Sequence, residues 1–224
     1  MKRFEVLTLF PDIFSSYLKE SLIYKAQQKG LIKIRIHNLR DWSNDPHKKV
    51  DDRPFGGGTG MVIKVEPIYR AVKDLKRGMG RKKGRVILFT PRGSKFTQKI
   101  GFQLSKLDYF IFICGRYEGV DERVAKYVAD MTLSIGDYDL MGGELPALVV
   151  IETICRLIPG VLGKFELLKE RITKKGGFIE YAQYTRPAVF QPRKGIKWKV
   201  PPVLLSGDHK KIEKWRAEHS KIIE

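Results

Sequence analysis

Apolar positions change period along this chain in a repeating order. Residues 4–10 form a short apolar run of strand type, closed by Pro11. From there Ile13, Tyr17, Leu18, Leu22 and Ile23 recur at helical spacing, with Pro11 suited to a first helical turn and Gly30 to a stop. Residues 32–36 alternate like a second strand. Residues 38–60 are polar, lack a period and predict a long loop. Glu66-Pro67 opens a helix to about Lys76, and a basic loop, 77–85, leads to a strand over 86–89. Thr90-Pro91-Arg92-Gly93 predicts a tight turn before a helix over 95–107. A strand at 109–114, a helix at 121–129, a strand at 131–135 and a helix at 144–158 follow. Strands alternating with helices predict an α/β fold, a mainly parallel sheet with helices on both faces.

After Gly163 the pattern thins. Residues 164–177 are strongly charged, end in Lys-Lys-Gly-Gly and read as an interdomain linker between a domain over 1–163 and a small one over 178–224. The small domain has few apolar residues outside a helix at about 210–219, for which Ser206-Gly207-Asp208 offers an N-cap.

Composition narrows the class. At 224 residues with 42% hydrophobic content, the chain can build a real core. Cys114 and Cys155 each sit inside an apolar run and predict buried thiols in a reducing compartment. The four histidines are scattered, without zinc-site spacing, so no metal is expected. No apolar run reaches membrane length and the first residues lack a signal-peptide core, which predicts a cytoplasmic protein without a membrane partner.

The formal charge of +18 is unevenly placed. Residues 73–106 carry 11 basic and 1 acidic side chains, whereas residues 107–160 carry 4 and 9. Basic flanks around an acidic centre predict a polyanionic partner, nucleic acid first, held by the flanks while the centre does something else.

The centre, residues 114–163, has two glycine-punctuated turns directly after apolar strands: Gly115-Arg116-Tyr117-Glu118-Gly119 and Ile135-Gly136-Asp137-Tyr138-Asp139-Leu140-Met141-Gly142-Gly143. Such turns bind ligands in open α/β sheets. Neither matches the dinucleotide or phosphate-loop pattern. An acidic, glycine-lined pocket suits a cationic small molecule such as S-adenosylmethionine better than a polyanion like ATP; structural turns use the same residues. Residues 50–61, with Asp51, Asp52 and Arg53 before serial glycines, read equally as a hinge or as a binding lid.

These stretches together resemble the bacterial tRNA (guanine-N1)-methyltransferase family. The resemblance runs through Leu9-Phe10-Pro11, residues 50–61, 114–123, 134–147 and 156–163, Tyr184-Thr185-Arg186-Pro187, residues 200–207 and Trp215-Arg216. It implies a SPOUT-class methyltransferase, with the C-terminal part of its α/β domain tied in a trefoil knot. A small, mostly helical C-terminal domain binding tRNA is also implied. The family is a homodimer whose active site, completed by the second subunit, methylates guanosine 37 of tRNA from S-adenosyl-L-methionine. The cofactor residues implied are Thr90, Pro91, Gly115, Tyr117, Glu118, Gly119, Ile135, Gly136, Asp137, Tyr138, Asp139, Leu140, Gly142 and Gly143, with Glu118 and Asp137 giving a negative field at the sulfonium.

Arg156 matches the family arginine that stabilises charge on guanine O6; without the resemblance, a cation capping its helix end reads equally well. The general base is where the chain departs. The family aspartate position in the linker reads Arg171, and Glu170 beside it is the nearest carboxylate. Asp51, Asp52 and Arg53 of the partner's lid would read the target base, and residues 73–106 with the C-terminal domain would hold tRNA. Other readings are a SPOUT enzyme for another RNA base and a non-catalytic RNA-binding protein.

Overall fold

The computed structural model describes residues 1–163 and 171–223. The chain divides into two compact units, Met1–Phe165 and Glu166–Glu224.

In the first unit, β1 (Lys2–Thr8), β2 (Ile32–Asn38), β5 (Gly84–Lys95), β6 (Tyr109–Cys114) and β7 (Met131–Ser134) form one sheet. Its order is β2-β1-β6-β5-β7 and every pairing is parallel. All six residues of β6 are buried, which is why Tyr-Phe-Ile-Phe-Ile-Cys is apolar throughout rather than alternating. On one face Phe4, Phe110 and Phe112 pack with Ile151 and Ile154 of α5 (Glu144–Arg156) and with residues of α1 (Ser21–Gln28) and α3 (Gln98–Leu104). Phe4 and Phe110 stack at 4.9 Å. On the other face Leu7, Ile111 and Ile113 pack with Ile68 and Val72 of α2 (Val65–Arg77) and Val124 of α4 (Glu122–Tyr127). The expected parallel sheet with helices on both faces is the observed one.

Three expectations for this unit need correction. The helix expected from Pro11 breaks into one-turn segments, Pro11–Phe14 and Tyr17–Lys19, before α1 begins at Ser21. Ser21 has φ +52°, a conformation no helix continues through, and Ile13, Tyr17 and Leu22 remain partly exposed, so the apparent stripe is not a core face. The 38–60 segment is not without structure. It holds a one-turn helix, Leu39–Trp42, and β3 (Asp51–Asp52), which pairs antiparallel with β4 (Val62–Ile63).

The third correction concerns 90–93. The strand does not end at Phe89; it resumes against the same partner, since Phe89 and Ser94 both pair with Leu133. Residues 90–93 therefore loop out as a bulge, and α3 starts later, at Gln98, with the Thr97 hydroxyl accepting from the Ile100 N–H.

In the second unit, β8 (Phe178–Tyr181) pairs with β11 (Ser220–Ile223), and β9 (Val189–Arg193) with β10 (Ile196–Lys199). The helix α6 (His209–Glu218) is capped by the Asp208 carboxylate, which accepts from Lys211 N–H at 3.2 Å. The expectation of a mostly helical domain does not hold among the described residues, where strand outweighs helix. Alternation in segments this short and basic is too weak to read.

Candidate active site

Three loops leave the carboxyl ends of neighbouring strands β5, β6 and β7 and enclose a cleft of about 410 Å³, within the range of small-ligand sites. The bulge brings Thr90 and Pro91 into its wall. This is possible because residue 93 is glycine: a Cβ there would stand 2.6 Å from the Leu133 backbone. The loop after β6 contributes Gly115, Tyr117, Glu118 and Gly119, and the loop after β7 contributes Ile135, Tyr138, Asp139, Leu140, Gly142 and Gly143. Tyr117 takes φ +60°, a left-handed conformation costing a side-chain-bearing residue about 1 kcal/mol or more. The turn is held by Gly119 N–H donating to Arg116 O at 3.0 Å.

The last loop returns across the sheet to the second one. Gly143 N–H donates to Gly115 O at 3.0 Å, and Arg116 bridges Gly142. A Cβ on Gly143 would lie 2.7 Å from Cys114 Cα, so only glycine lets these backbones meet. Beneath them sits Glu144, whose side chain is 1% exposed. It accepts from Arg116 Nε at 3.0 Å and from Thr8 Oγ1 at 2.7 Å, while Thr8 accepts from Phe10 N–H at 2.9 Å. The Arg116 guanidinium lies over the Phe10 ring at 4.9 Å. One buried carboxylate thus ties the end of β1, the loop after β6 and the start of α5.

Sequence reasoning missed this trio as site residues. The signal was present, in an acid directly after Gly142-Gly143 at the start of an apolar helix.

Of the cofactor residues expected from sequence, two lie apart from the wall. Gly136 and Asp137 do not line the cleft, and the largely exposed Asp137 is ion-paired with Lys95. Glu118 and Asp139 line it, as does Glu122, which pairs with Arg92. Carboxylates therefore face the cleft from two loops. Burial pushes the Cys114 thiol well up, with Glu144 adding to the shift and Arg116 opposing it.

Asp51 and Asp52 form β3, and Arg53 follows directly. Asp52 accepts from Arg53 N–H and pairs with Lys64 at 3.5 Å, and these hold its carboxyl below the usual range. The segment after β3 is anchored on the cleft's own loop: Glu118 N–H donates to Met61 O, Ile63 N–H to Gly119 O and Asp121 N–H to Ile63 O, all at 3.0–3.1 Å. Sequence left hinge and lid open; the anchored base and exposed Gly56–Gly58 tip fit a loop fixed at its root.

Arg156 ends α5 and is exposed. Glu170 lies outside the described residues. Arg171 serves the second unit's own packing, with Nη2 at 2.6 Å from Glu180, Nε donating to Ile179 O, and the guanidinium over Phe178 and Tyr181. Among the described residues no helix is long and apolar enough to cross a membrane.

Comparison with known proteins bears on the same stretches. The chain matches the family described as tRNA (Guanine-1)-methyltransferase TrmD over residues 1–222. It is 49% identical over 218 residues to the tRNA (guanine-N(1)-)-methyltransferase of Clostridioides difficile (strain 630), covering 97% of this chain and 92% of that protein. The proteins of the same name from Dictyoglomus turgidum and Ruminiclostridium cellulolyticum are 48% and 47% identical. They cover 98% and 97% of this chain, and 85% and 91% of their own lengths. With a family match over nearly its whole length and relatives at 47–49% identity, the chain belongs to the tRNA (guanine-1)-methyltransferase family, enzymes that methylate N1 of guanine in tRNA.

Proposed function

We propose that this chain methylates N1 of guanosine 37, 3′ of the tRNA anticodon, with S-adenosyl-L-methionine held in the cleft at the ends of β5, β6 and β7. The observation that carries the reading is the convergence of Thr90, Gly115 to Gly119, Ile135 and Tyr138 to Gly143 on one cavity. The residues fit that donor. Glycine-lined loops let backbone groups approach adenine and ribose, and Glu118 and Asp139 offer negative charge to a sulfonium, the wall cations Arg92 and Arg116 being paired with Glu122 and Glu144. The bound donor supplies an electrophilic methyl group.

The protein's tasks are positioning, proton removal and charge stabilisation. Guanine N1 must lie in line with the methyl, a demand met by rigid loops and by a lid carrying Asp51, Asp52 and Arg53. The N1 proton needs a base, for which Glu170 is the nearest carboxylate to the Arg171 position. Charge gathering on O6 is met by Arg156.

In this reading the active site is completed by a second copy of the chain, whose lid reaches the target base. Support for a homodimer is the exposure of Ile13, Leu145 and Val149, apolar residues on α5 and the one-turn segment packed against it. Support for a trefoil knot is the return of the 135–143 loop onto Gly115 and Arg116. The C-terminal domain, 178–224, and the basic 73–106 surface are assigned to tRNA. A tRNA substrate supports a cytoplasmic location.

Thermal-shift titration with S-adenosyl-L-methionine tests the reading. A saturable rise in melting temperature is expected. No rise at millimolar donor, with tRNA still bound, would instead favour a non-catalytic RNA-binding protein.

A further inference from the structure

We propose that the second unit carries a stacking site for one unstacked base of the tRNA, in the cleft between Tyr181–Arg186 and α6. This inference rests on the reading of the chain as a tRNA-binding enzyme. A cavity of about 390 Å³ opens there, large enough for a small planar ligand. Its distinctive wall groups are rings and guanidiniums: Tyr181, Tyr184 and Trp215, with Arg186 and Arg216.

The rings are held before any ligand arrives. Trp215 stacks on His219 one turn along the helix, with centroids 4.2 Å apart and planes 16° apart, and His219 Nδ1 lies 2.8 Å from Trp215 O. Tyr184 meets Trp215 edge-on at 6.2 Å and stays half exposed. Arg216 lies 5.1 Å from the Tyr181 ring, which Arg171 also covers at 5.0 Å.

A phosphate would need only the cations. Rings fixed beside planar guanidiniums match the flat face of a nucleobase, which stacks on aromatic and arginine planes alike. The surroundings select a polyanion, since residues 171–223 hold 13 basic and 4 acidic side chains. The base must be unstacked, because paired bases within a helix offer no free face.

The test measures fluorescence anisotropy of labelled tRNA transcript on the full chain, without methyl donor, for wild type, Tyr184→Ala and Tyr184→Phe. Tyr184 is half exposed, so both variants are expected to fold, checked by melting temperature. Stacking predicts about tenfold weaker tRNA binding for Tyr184→Ala, less than twofold for Tyr184→Phe, and no change in binding an RNA duplex of equal length. Wild-type affinity in Tyr184→Ala would overturn the proposal, as would equal losses in both variants or an equal loss for the duplex. Since binding is read without donor, failure of methyl transfer would refute the functional reading and leave this result standing.

Discussion

Arg116 Nε and Glu144 Oε2 lie 3.0 Å apart beneath the cleft, joining residues 28 positions apart in sequence. Glu144 is buried and Arg116 only partly exposed, so the charge on Glu144 is tolerated because Arg116 and Thr8 both donate to it. Glu144→Ala is expected to leave Arg116 uncompensated and cost about 3 kcal/mol in urea denaturation. Glu144→Gln keeps the shape and can still accept from Thr8. It is expected to cost about 1–2 kcal/mol and to weaken donor binding about tenfold by loosening the loop after β6. Unchanged donor affinity in Glu144→Gln would show that the pair is structural only.

Gly93→Ala probes the bulge. The added methyl meets the Leu133 backbone at 2.6 Å, and relieving it requires the bulge or the edge strand β7 to move. A loss of about 2 kcal/mol in stability, together with weaker donor binding, is expected, because Thr90 and Pro91 would shift. A variant melting like wild type would refute the close approach.

Arg156→Ala separates two roles of one cation. Acting on guanine O6, its loss should slow single-turnover methyl transfer about 10²- to 10³-fold with donor affinity intact. A helix-capping role alone would instead lower stability by about 0.3–1 kcal/mol and leave the chemical step unchanged. Glu170→Ala, in the same assay, is expected to flatten the dependence of rate on pH.

The buried ionisable groups predict alkaline sensitivity. Burial, with Glu152 adding to it, pushes the Cys155 thiol up to about 12, and burial beside Glu5 does the same to the Tyr109 phenol. Both folded values are raised, so the fold favours the neutral forms. Their contribution is complete below the ordinary values near 9 and 10, and is lost as pH rises through about 12. The urea midpoint should fall between pH 9 and 11, and fall less in Tyr109→Phe. At pH 8 neither Cys114 nor Cys155 should react with iodoacetamide until the chain is unfolded.

Much of the first unit is legible in the chain because its strands are apolar throughout and its glycines sit directly after them. Strand 109–114 and the turns following it and β7 could be read from those features alone. The bulge could not. Thr90-Pro91-Arg92-Gly93 has turn chemistry, and only the shared pairing of Phe89 and Ser94 with Leu133 shows that the strand resumes. Pairing between strands distant in sequence also hid the role of Glu144, whose partners Thr8 and Arg116 lie 136 and 28 residues away. Asp137 has a contact of the same hidden kind: its motif points to a sulfonium, and its exposed carboxylate pairs with Lys95, on the far limb of the bulge.

The central claim is tested most directly by position-resolved mass spectrometry of tRNA after reaction with isotopically labelled S-adenosyl-L-methionine. One labelled methyl group on N1 of guanosine 37 is expected, absent when that nucleotide is replaced by adenosine and formed about 10²- to 10³-fold more slowly in Arg156→Ala. Label on another base, or an unmodified transcript from a folded chain that binds tRNA, would contradict it.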